Sequence, residues 1–258
     1  MKSLFSHKFG SLAVVMLLVC GTSLLTRIIL FCWSFSSLTL SPLSMAGIFF
    51  IGFLYDVLVS LFFALPVVLY AWLMKDSFYR MGFSRILLFI YFTLITFILL
   101  MNICSEIAFW DEFSVRYNFI AVDYLIYTQE VIGNIWESYN MPLILGSVFT
   151  AGVIIVFFLR KPIAASCSAS MRFGERSLSL FAFLFITLAG YVTLNNQLKN
   201  TGGNKYVNEL GGNGIFEFGS AFWHNEINYP DFYLTRPDSI CFQILREKLS
   251  GKGITFNA

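Results

Sequence analysis

Charged side chains are scarce in this sequence. Only 12% of its 258 residues are Asp, Glu, Lys or Arg, about half the fraction found in ordinary soluble domains. Hydrophobic residues make up 57% of the chain, and its mean hydropathy is +0.74. A soluble fold of this length cannot bury that much apolar surface. The composition therefore excludes a soluble globular domain and indicates an integral membrane protein.

Histidine and paired cysteine are also scarce, which limits the chemistry available. The two histidines, His7 and His224, are far apart in the chain. The cysteines form no CxxC pair, so they are interpreted as small hydrophobic side chains; they are Cys20, Cys32, Cys104, Cys167 and Cys241. We therefore expect no metal site in this chain.

Long apolar runs take the place of these missing features. Five of them reach the length of about 20 residues that a helix needs to cross a bilayer. They cover approximately residues 10–33, 45–73, 86–104, 141–159 and 178–195. The predicted fold is an all-α membrane protein with a five-span domain, 1–195, and a helical extracytoplasmic tail, 196–258. A cleaved signal peptide is the alternative for the first run, but the run continues past any cleavage point through "SLLTRIILFCW".

Basic residues are distributed unevenly between the connections, and this predicts the orientation. Nine of them lie before the first run, in 74–85 and in 160–177, whereas the connections 34–44 and 105–140 contain only Arg116. Because positive residues stay in the cytoplasm, we expect a cytoplasmic N-terminus. Five spans then place the C-terminus outside, and the expected location is a bacterial inner or plasma membrane.

The connection 105–140 is acidic and rich in aromatic side chains. Read as one helix, 109–125 places Phe109, Phe113, Tyr117 and Tyr124 on one face, with Glu112 and Arg116 four residues apart and able to pair. This pattern predicts amphipathic helices lying in the membrane interface. Two interpretations remain open, a structural collar around the spans or a lipid-facing floor for a site at the outer surface.

Arg27 and Asp56 are charged residues at similar depths in the first two spans. A charge in the bilayer centre costs about 3 kcal/mol, so a partner is expected. The two residues are therefore predicted to form an ion pair. That pair would either clamp two helices together or help to bind a phosphate headgroup through Arg27.

The tail begins with a Gly/Asn-rich linker and then regains an amphipathic pattern. Residues 206–226 are predicted to be helical, and 239–249 to form a second short helix. The first helix either rests on the outer leaflet or docks a catalytic domain through Phe216, Phe222 and Trp223. Glu209, Glu226 and His224 are not interpreted as a metal set.

Three segments of the chain resemble one known family. They are "GFLYDVL" at 52–58, "DEFSVRYNFIAVDYLIYTQEVIGNI" at 111–135, and "NELGGNGIFEFGSAFWHNEINYPDFY" at 208–233. They are similar to the membrane part of the lipoteichoic acid synthase and phosphoglycerol transferase group, within the alkaline phosphatase and sulfatase superfamily.

The resemblance implies five spans that carry an outward-facing hydrolase-like domain. In the family, that domain transfers phosphoglycerol from phosphatidylglycerol through a threonine at a divalent metal, usually manganese. This sequence has no stretch like the family's "NVV…ES" opening and no Asp/His cluster, so no catalytic residue is carried over. The sequence ends at Ala258, where the catalytic domain would begin, and the expectation is therefore a fragment or one product of a split gene.

The leading hypothesis is a module that anchors a catalytic domain and seats its lipid donor, with no activity alone. Its partners would be the phospholipid membrane, mainly phosphatidylglycerol, and a sulfatase-like domain in cis or in trans, with no nucleic acid and no cofactor in this chain. The alternatives are a membrane subunit of a split phosphoglycerol or phosphoethanolamine transferase, and a small transporter. The residues hypothesised to contact lipid or its headgroup are Arg27, Asp56, Glu112, Arg116, Asn118, Asp123 and Tyr124.

Overall fold

Five long apolar helices dominate the computed structural model, which describes residues 5–39, 41–201, 203–224 and 238–250. The described residues contain no strand. The five helices are long and apolar enough to cross a membrane, which confirms the predicted fold class. They are α1 (Gly10–Trp33), α2 (Pro42–Leu73), α4 (Gly82–Phe113), α7 (Met141–Ser168) and α8 (Phe173–Thr193). The chain is a multi-pass membrane protein.

Shorter helices connect and extend the spans. After α2 comes α3 (Asp76–Tyr79), and between α4 and α7 lie α5 (Phe119–Ile126) and α6 (Thr128–Ser138). After α8 come α9 (Lys205–Leu210) and α10 (Gly214–Trp223). The chain divides into two compact units, Met1–Trp223 and His224–Ala258. In the second unit the structure describes one helix, α11 (Asp238–Ser250), and this confirms the helix predicted at 239–249.

The spans pack around one apolar core at their centre. Most of its buried side chains come from α1, α2 and α4, such as Val15, Ala64 and Phe92 at 0% exposure. In contrast, only 11% of the most apolar 18-residue stretch of α7 is buried within the protein. A helix that stays apolar where it is uncovered is typical of a lipid-facing span, so α7 lies at the edge of the bundle.

The helix α2 widens at Gly47–Ile51, where its turns take the π form. Such local widening often marks a functional position. Here Gly47, the first residue of this segment, and Gly52, which follows it, allow close contacts. A Cβ at Gly47 would come 2.8 Å from Thr201 Oγ1, and one at Gly52 would come 2.4 Å from Arg27 Cζ.

Three predictions about the connections were wrong in detail. Span three does not end near 104 but continues to Phe113, and Ser114 then adopts a left-handed conformation with φ 53°. The expected single helix over 109–125 is therefore broken, and α5 begins after Asn118, whose side chain accepts a hydrogen bond from Ile120 N. The expected helix over 206–226 is divided into α9 and α10 at Gly211–Asn213, and its last two residues lie outside the described ones.

The α6 helix has the amphipathic pattern predicted for the membrane interface. None of its residues is buried, and its apolar side chains include the exposed Ile132 and Trp136. A short helix cannot keep such a face in water at low cost, but the boundary of a bilayer accommodates it.

Candidate functional site

A buried ion pair joins the first two spans. Arg27 donates from Nη1 to Asp56 Oδ2 at 2.7 Å and from Nη2 to Asp56 Oδ1 at 2.9 Å. Each side chain is 1% exposed. The pair predicted from the matching depths is therefore present, and it has the bidentate geometry that gives Arg–carboxylate pairs their strength.

The same pair also holds the segment that follows α9. Arg27 Nε donates to Leu210 O at 3.1 Å, and Nη2 donates to Gly212 O at 3.0 Å. Asn213 Nδ2 donates to Asp56 Oδ1 at 2.8 Å. Arg27 therefore makes its hydrogen bonds to other parts of the protein. This geometry fits the interpretation of the ion pair as a clamp between helices. Headgroup binding through this residue stays a hypothesis.

An apolar groove lies on the surface between α1 and α2, over this ion pair. Its volume is about 340 Å³. The walls are Leu17, Cys20, Gly21, Leu24, Phe49 and Phe53, and the floor is formed by Arg27 and Asp56. Leu17 and Phe53 are more than half exposed. The groove therefore offers apolar walls to a lipid chain, over charges that already neutralise each other.

A second buried arginine lies beyond the end of α4. Arg116 Nη1 donates to Glu106 Oε1, and Arg116 Nε donates to Glu209 O at 2.9 Å. The backbone N–H of Arg116 donates to Glu209 Oε2 at 3.1 Å. The expected Glu112–Arg116 pair was wrong because the helix breaks at Ser114, and Glu112 is instead exposed.

Glu217 and Lys199 extend this second cluster. Lys199 Nζ lies 2.6 Å from Glu217 Oε2 and 3.4 Å from Glu209 Oε1. Burial raises the pKa of Glu217 to about 7, and Glu209 adds to the rise while Lys199 opposes it. Within the described part of the chain, Glu217 Oε1 and Arg116 Nη2 are buried without a hydrogen-bond partner. Three carboxylates, two cations and no other charge are counted in this cluster, so a proton on Glu217 makes its net charge zero; the members are Glu106, Glu209, Glu217, Arg116 and Lys199.

The other residues hypothesised to contact lipid or a docked domain have mixed surroundings. Asn118 is half-buried as the cap of α5, and Asp123 is half-buried within that helix. Tyr124 is 39% exposed. Phe216 packs against Tyr55, with ring centroids 4.8 Å apart, whereas Phe222 and Trp223 are 58% and 77% exposed. Only the last two present open aromatic surface on α10.

The sequence argument did not include Glu106, Lys199, Asn213 or Glu217. A signal existed for Glu106, because it shares a helical face with the buried Ile103 and Trp110. A carboxylate on an apolar face requires a partner. Lys199, Asn213 and Glu217 gave no comparable signal, since a charged or polar residue in a tail is normally solvated.

A third charged cluster lies at the opposite end of the bundle. Lys8 Nζ is 2.7 Å from Asp76 Oδ1, and Arg176 Nη2 is 3.1 Å from the same atom. Arg176 Nη1 also donates to Met74 O at 2.8 Å. These contacts fix the segment before α1 to the start of α3 and α8.

Comparisons with known proteins add no assignment to this geometry. No family model matches the chain, and neither a curated protein nor a solved structure matches it. The resemblance to the phosphoglycerol transferases therefore stays a prediction. The described residues also contain no group of three or more His, Cys, Asp or Glu side chains that could hold a metal ion.

Proposed function

We propose that this chain is the membrane-anchoring and lipid-seating module of a phosphoglycerol-transferase-like protein of the bacterial cell envelope. It lies in the plasma membrane with a cytoplasmic N-terminus. Its groove between α1 and α2 takes an acyl chain of the lipid donor, phosphatidylglycerol. A sulfatase-like catalytic domain, in cis or in trans, supplies the threonine and the divalent metal for transfer.

The single observation that carries this proposal is the apolar groove over the Arg27–Asp56 pair. An apolar cleft with a few fixed polar groups is the usual form of a small-ligand site. Because Arg27 and Asp56 satisfy each other, an acyl chain can cover them without leaving a charge unpaired. The walls at Leu17 and Phe53 are exposed, and this exposed side is the one that we propose faces the lipid.

The anchoring part of the proposal is supported by the two buried arginines. Arg27 and Arg116 come from different parts of the chain, yet both bind the segment between Glu209 and Gly212 through its backbone carbonyls. This segment is thus tied to α1, α2 and α4, and α10 follows it directly. A platform fixed in this way can hold a domain at a constant height above the bilayer.

The lipid-seating part is tested by filling the groove. A Cβ on Gly21 meets no atom within 4 Å, so Gly21→Trp adds an indole to the groove without disturbing the core. Gly146→Trp on α7 is the matched control, since a Cβ there also meets nothing within 4 Å. Both variants and the wild type are purified and scored by native mass spectrometry for retained phosphatidylglycerol against phosphatidylcholine.

We expect the wild type and Gly146→Trp to retain phosphatidylglycerol preferentially, and Gly21→Trp to lose most of that retention. Equal retention of the two lipids by the wild type would reject the lipid-donor assignment. Retention by Gly21→Trp equal to that of the control would reject the groove as the seat. We further expect no release of glycerol phosphate by the purified chain alone, with or without manganese.

A further inference from the structure

A carboxylate is the one buried side chain of the helix α10. Of the ten residues Gly214–Trp223, only Gly214 and Glu217 are buried, and Glu217 is 5% exposed. At the other end of the helix, Phe222 and Trp223 are exposed. A helix of this length is marginal in isolation, so α10 depends on its contacts with the bundle. The charge on Glu217 therefore bears directly on how firmly α10 is held.

Glu217 lies in a place that solvates a charge poorly. A Cβ built on Gly212 would collide with Glu217 Oε1, so this oxygen lies against the backbone carbon of Gly212. Within the part of the chain that the structure describes, Oε1 is buried and accepts no hydrogen bond. A buried polar oxygen without a donor costs far more when it is charged than when it is neutral. The packing therefore favours the protonated carboxyl.

Two carboxylates share one lysine at this place. Lys199 Nζ lies 2.6 Å from Glu217 Oε2 and 3.4 Å from Glu209 Oε1. The nearby Arg116 is already paired with Glu106, and its backbone N–H binds the second oxygen of Glu209. Ionised Glu217 therefore leaves this buried group with one negative charge in excess, and protonated Glu217 removes the excess.

We propose that the contacts of Glu217 with Lys199, Glu209 and Gly212 form a proton-operated latch, which holds α10 on the bundle while Glu217 is protonated and releases it when Glu217 is ionised. The sign follows from burial, which raises the pKa of Glu217 from 4.5 to about 7, while Lys199 opposes the rise and Glu209 adds to it. The proton's contribution to the closed position is complete below pH 4.5 and is lost as the pH rises through 7.

The titratable and charged groups around Glu217 come from several elements. They are Lys199 before α9, Glu209 of α9, Glu106 of α4, Arg116 after α4, and Tyr55 of α2. The helix α5 also packs against α10, and its titratable residues are Asp123 and Tyr124. Among the described residues, Lys199 is the cation that forms a salt bridge with Glu217. Removal of this lysine should therefore change the pH at which the latch opens.

Gly212 connects the latch to the ion pair of the first two spans. Its backbone carbon lies against Glu217, and its carbonyl accepts a hydrogen bond from Arg27 Nη2 at 3.0 Å. The next residue, Asn213, donates to Asp56 Oδ1 at 2.8 Å. Release of α10 loosens both contacts, so Arg27 and Asp56 then depend on each other. The state of the latch thus reaches the floor of the groove between α1 and α2, whichever ligand the groove takes.

Hydrogen exchange measures the latch directly. The protein in lipid nanodiscs is exchanged at pH values from 5 to 8, and the protection of the α10 amides is corrected for the intrinsic effect of pH on exchange. Amides inside α1 and α4 are the internal reference, because a local opening leaves them protected. Glu217→Gln keeps the shape of the side chain and has no proton to lose. His224→Asn is the control, since histidine also titrates in this range and His224 follows α10 directly.

We expect the opening equilibrium of α10 to rise by about 10- to 100-fold between pH 5 and 8 in the wild type and in His224→Asn, as the rise of the pKa from 4.5 to about 7 requires. Glu217→Gln should keep α10 equally protected throughout. Lys199→Met should extend the rise to higher pH, because loss of the cation favours the protonated carboxyl. Protection inside α1 and α4 should stay constant in all four proteins.

Several results would overturn the latch. Equal protection of wild-type α10 at pH 5 and 8 is the first. A Glu217→Gln profile parallel to the wild type, or loss of the pH dependence in His224→Asn, would place the proton on another group. An equal change inside α1 and α4 would mean that the whole bundle loosens, and a Lys199→Met profile equal to the wild type would contradict the shared cation. Retention of phosphatidylglycerol tests the groove alone, so failure of the lipid assignment leaves this inference standing.

Discussion

Gly52 lies directly against the guanidinium of Arg27. A Cβ at this position would come 2.4 Å from Arg27 Cζ and 2.5 Å from Nε. The absence of a side chain on α2 therefore provides the space in which the arginine of α1 reaches Asp56. The close approach of the two helices and the buried ion pair are one structural feature.

Substitution of Gly52 by Ala should separate the two helices or displace the guanidinium. Overpacking of this kind costs about 1–3 kcal/mol, so we expect a clearly lower Tm in detergent. Gly146→Ala is the control, because its Cβ would meet nothing within 4 Å and alanine favours the helix. Equal Tm values for the two variants would show that the Gly52 contact has no energetic importance.

The ion pair itself is tested with a double-mutant cycle. Asp56→Leu leaves Arg27 buried without its anion, which typically costs about 3–5 kcal/mol. Arg27→Met combined with Asp56→Leu removes both charges, and we expect the double variant to be more stable than Asp56→Leu alone. Thermal unfolding of the four proteins measures this coupling. Additive losses would mean that the two side chains do not interact.

Glu217 predicts a pH dependence of stability. Its pKa rises from 4.5 to about 7 on folding, so between these values the folded protein holds a proton that the unfolded chain releases. This contribution to stability is therefore complete below pH 4.5 and is lost as the pH rises through 7. The groups around Glu217 are Lys199, Glu209 and Arg116.

We expect Glu217→Gln to flatten the decrease in Tm between pH 5 and 8 relative to the wild type. The measurement is a set of unfolding curves over that pH range. Glu137→Gln is the control, since Glu137 is exposed on α6, and it should follow the wild-type profile. A Glu217→Gln profile parallel to the wild type would contradict the assignment of the proton to this carboxyl.

Ser114 provides a test of the break after α4. It has a φ of 53°, a left-handed conformation that costs residues with a side chain about 1–2 kcal/mol. Ser114→Gly should thus raise Tm, and Ser114→Val should lower it, because a β-branched side chain fits that conformation least well. Ser105, which is exposed within α4, is the control position. Ser105→Gly should lower Tm there, because glycine destabilises a helix interior, so the order expected at Ser114 should not be found at Ser105.

The orientation can be determined by cysteine labelling in intact cells. In a variant without the five native cysteines, Glu112→Cys and Arg80→Cys place single thiols at exposed positions on opposite ends of the bundle. A membrane-impermeant maleimide should label only the first. Labelling of Arg80→Cys alone would reverse the assigned topology and remove the catalytic domain from the outer surface.

The sequence predicted the spans well because the signal for a span is local. A run of about 20 apolar residues forms all its backbone hydrogen bonds within its own helix, and it partitions into lipid without contacts from distant residues. The first predicted run, 10–33, coincides with α1 (Gly10–Trp33) for this reason. The Arg27–Asp56 pair was also predictable, since two isolated charges at one depth have few alternative partners.

The partner of Arg116 was not predictable in the same way. Within the sequence, Glu112 lies four residues away and Glu106 lies ten away, so helical spacing favours Glu112. The choice depends on the turn at Ser114, after which Glu209 binds the backbone of Arg116 from 93 residues further along the chain. No local pattern contains that contact.

The sequence by itself therefore determined the membrane class, the number of spans and the pairing of Arg27 with Asp56, because hydropathy and burial of charge act within one helix or between two neighbours. Only the tertiary structure decided where the helices break, which carboxylate binds Arg116, and which backbone carbonyl of the tail binds Arg27. These features depend on contacts between segments that are more than 90 residues apart, and the cost of burying each polar group is known only when its partner is in place.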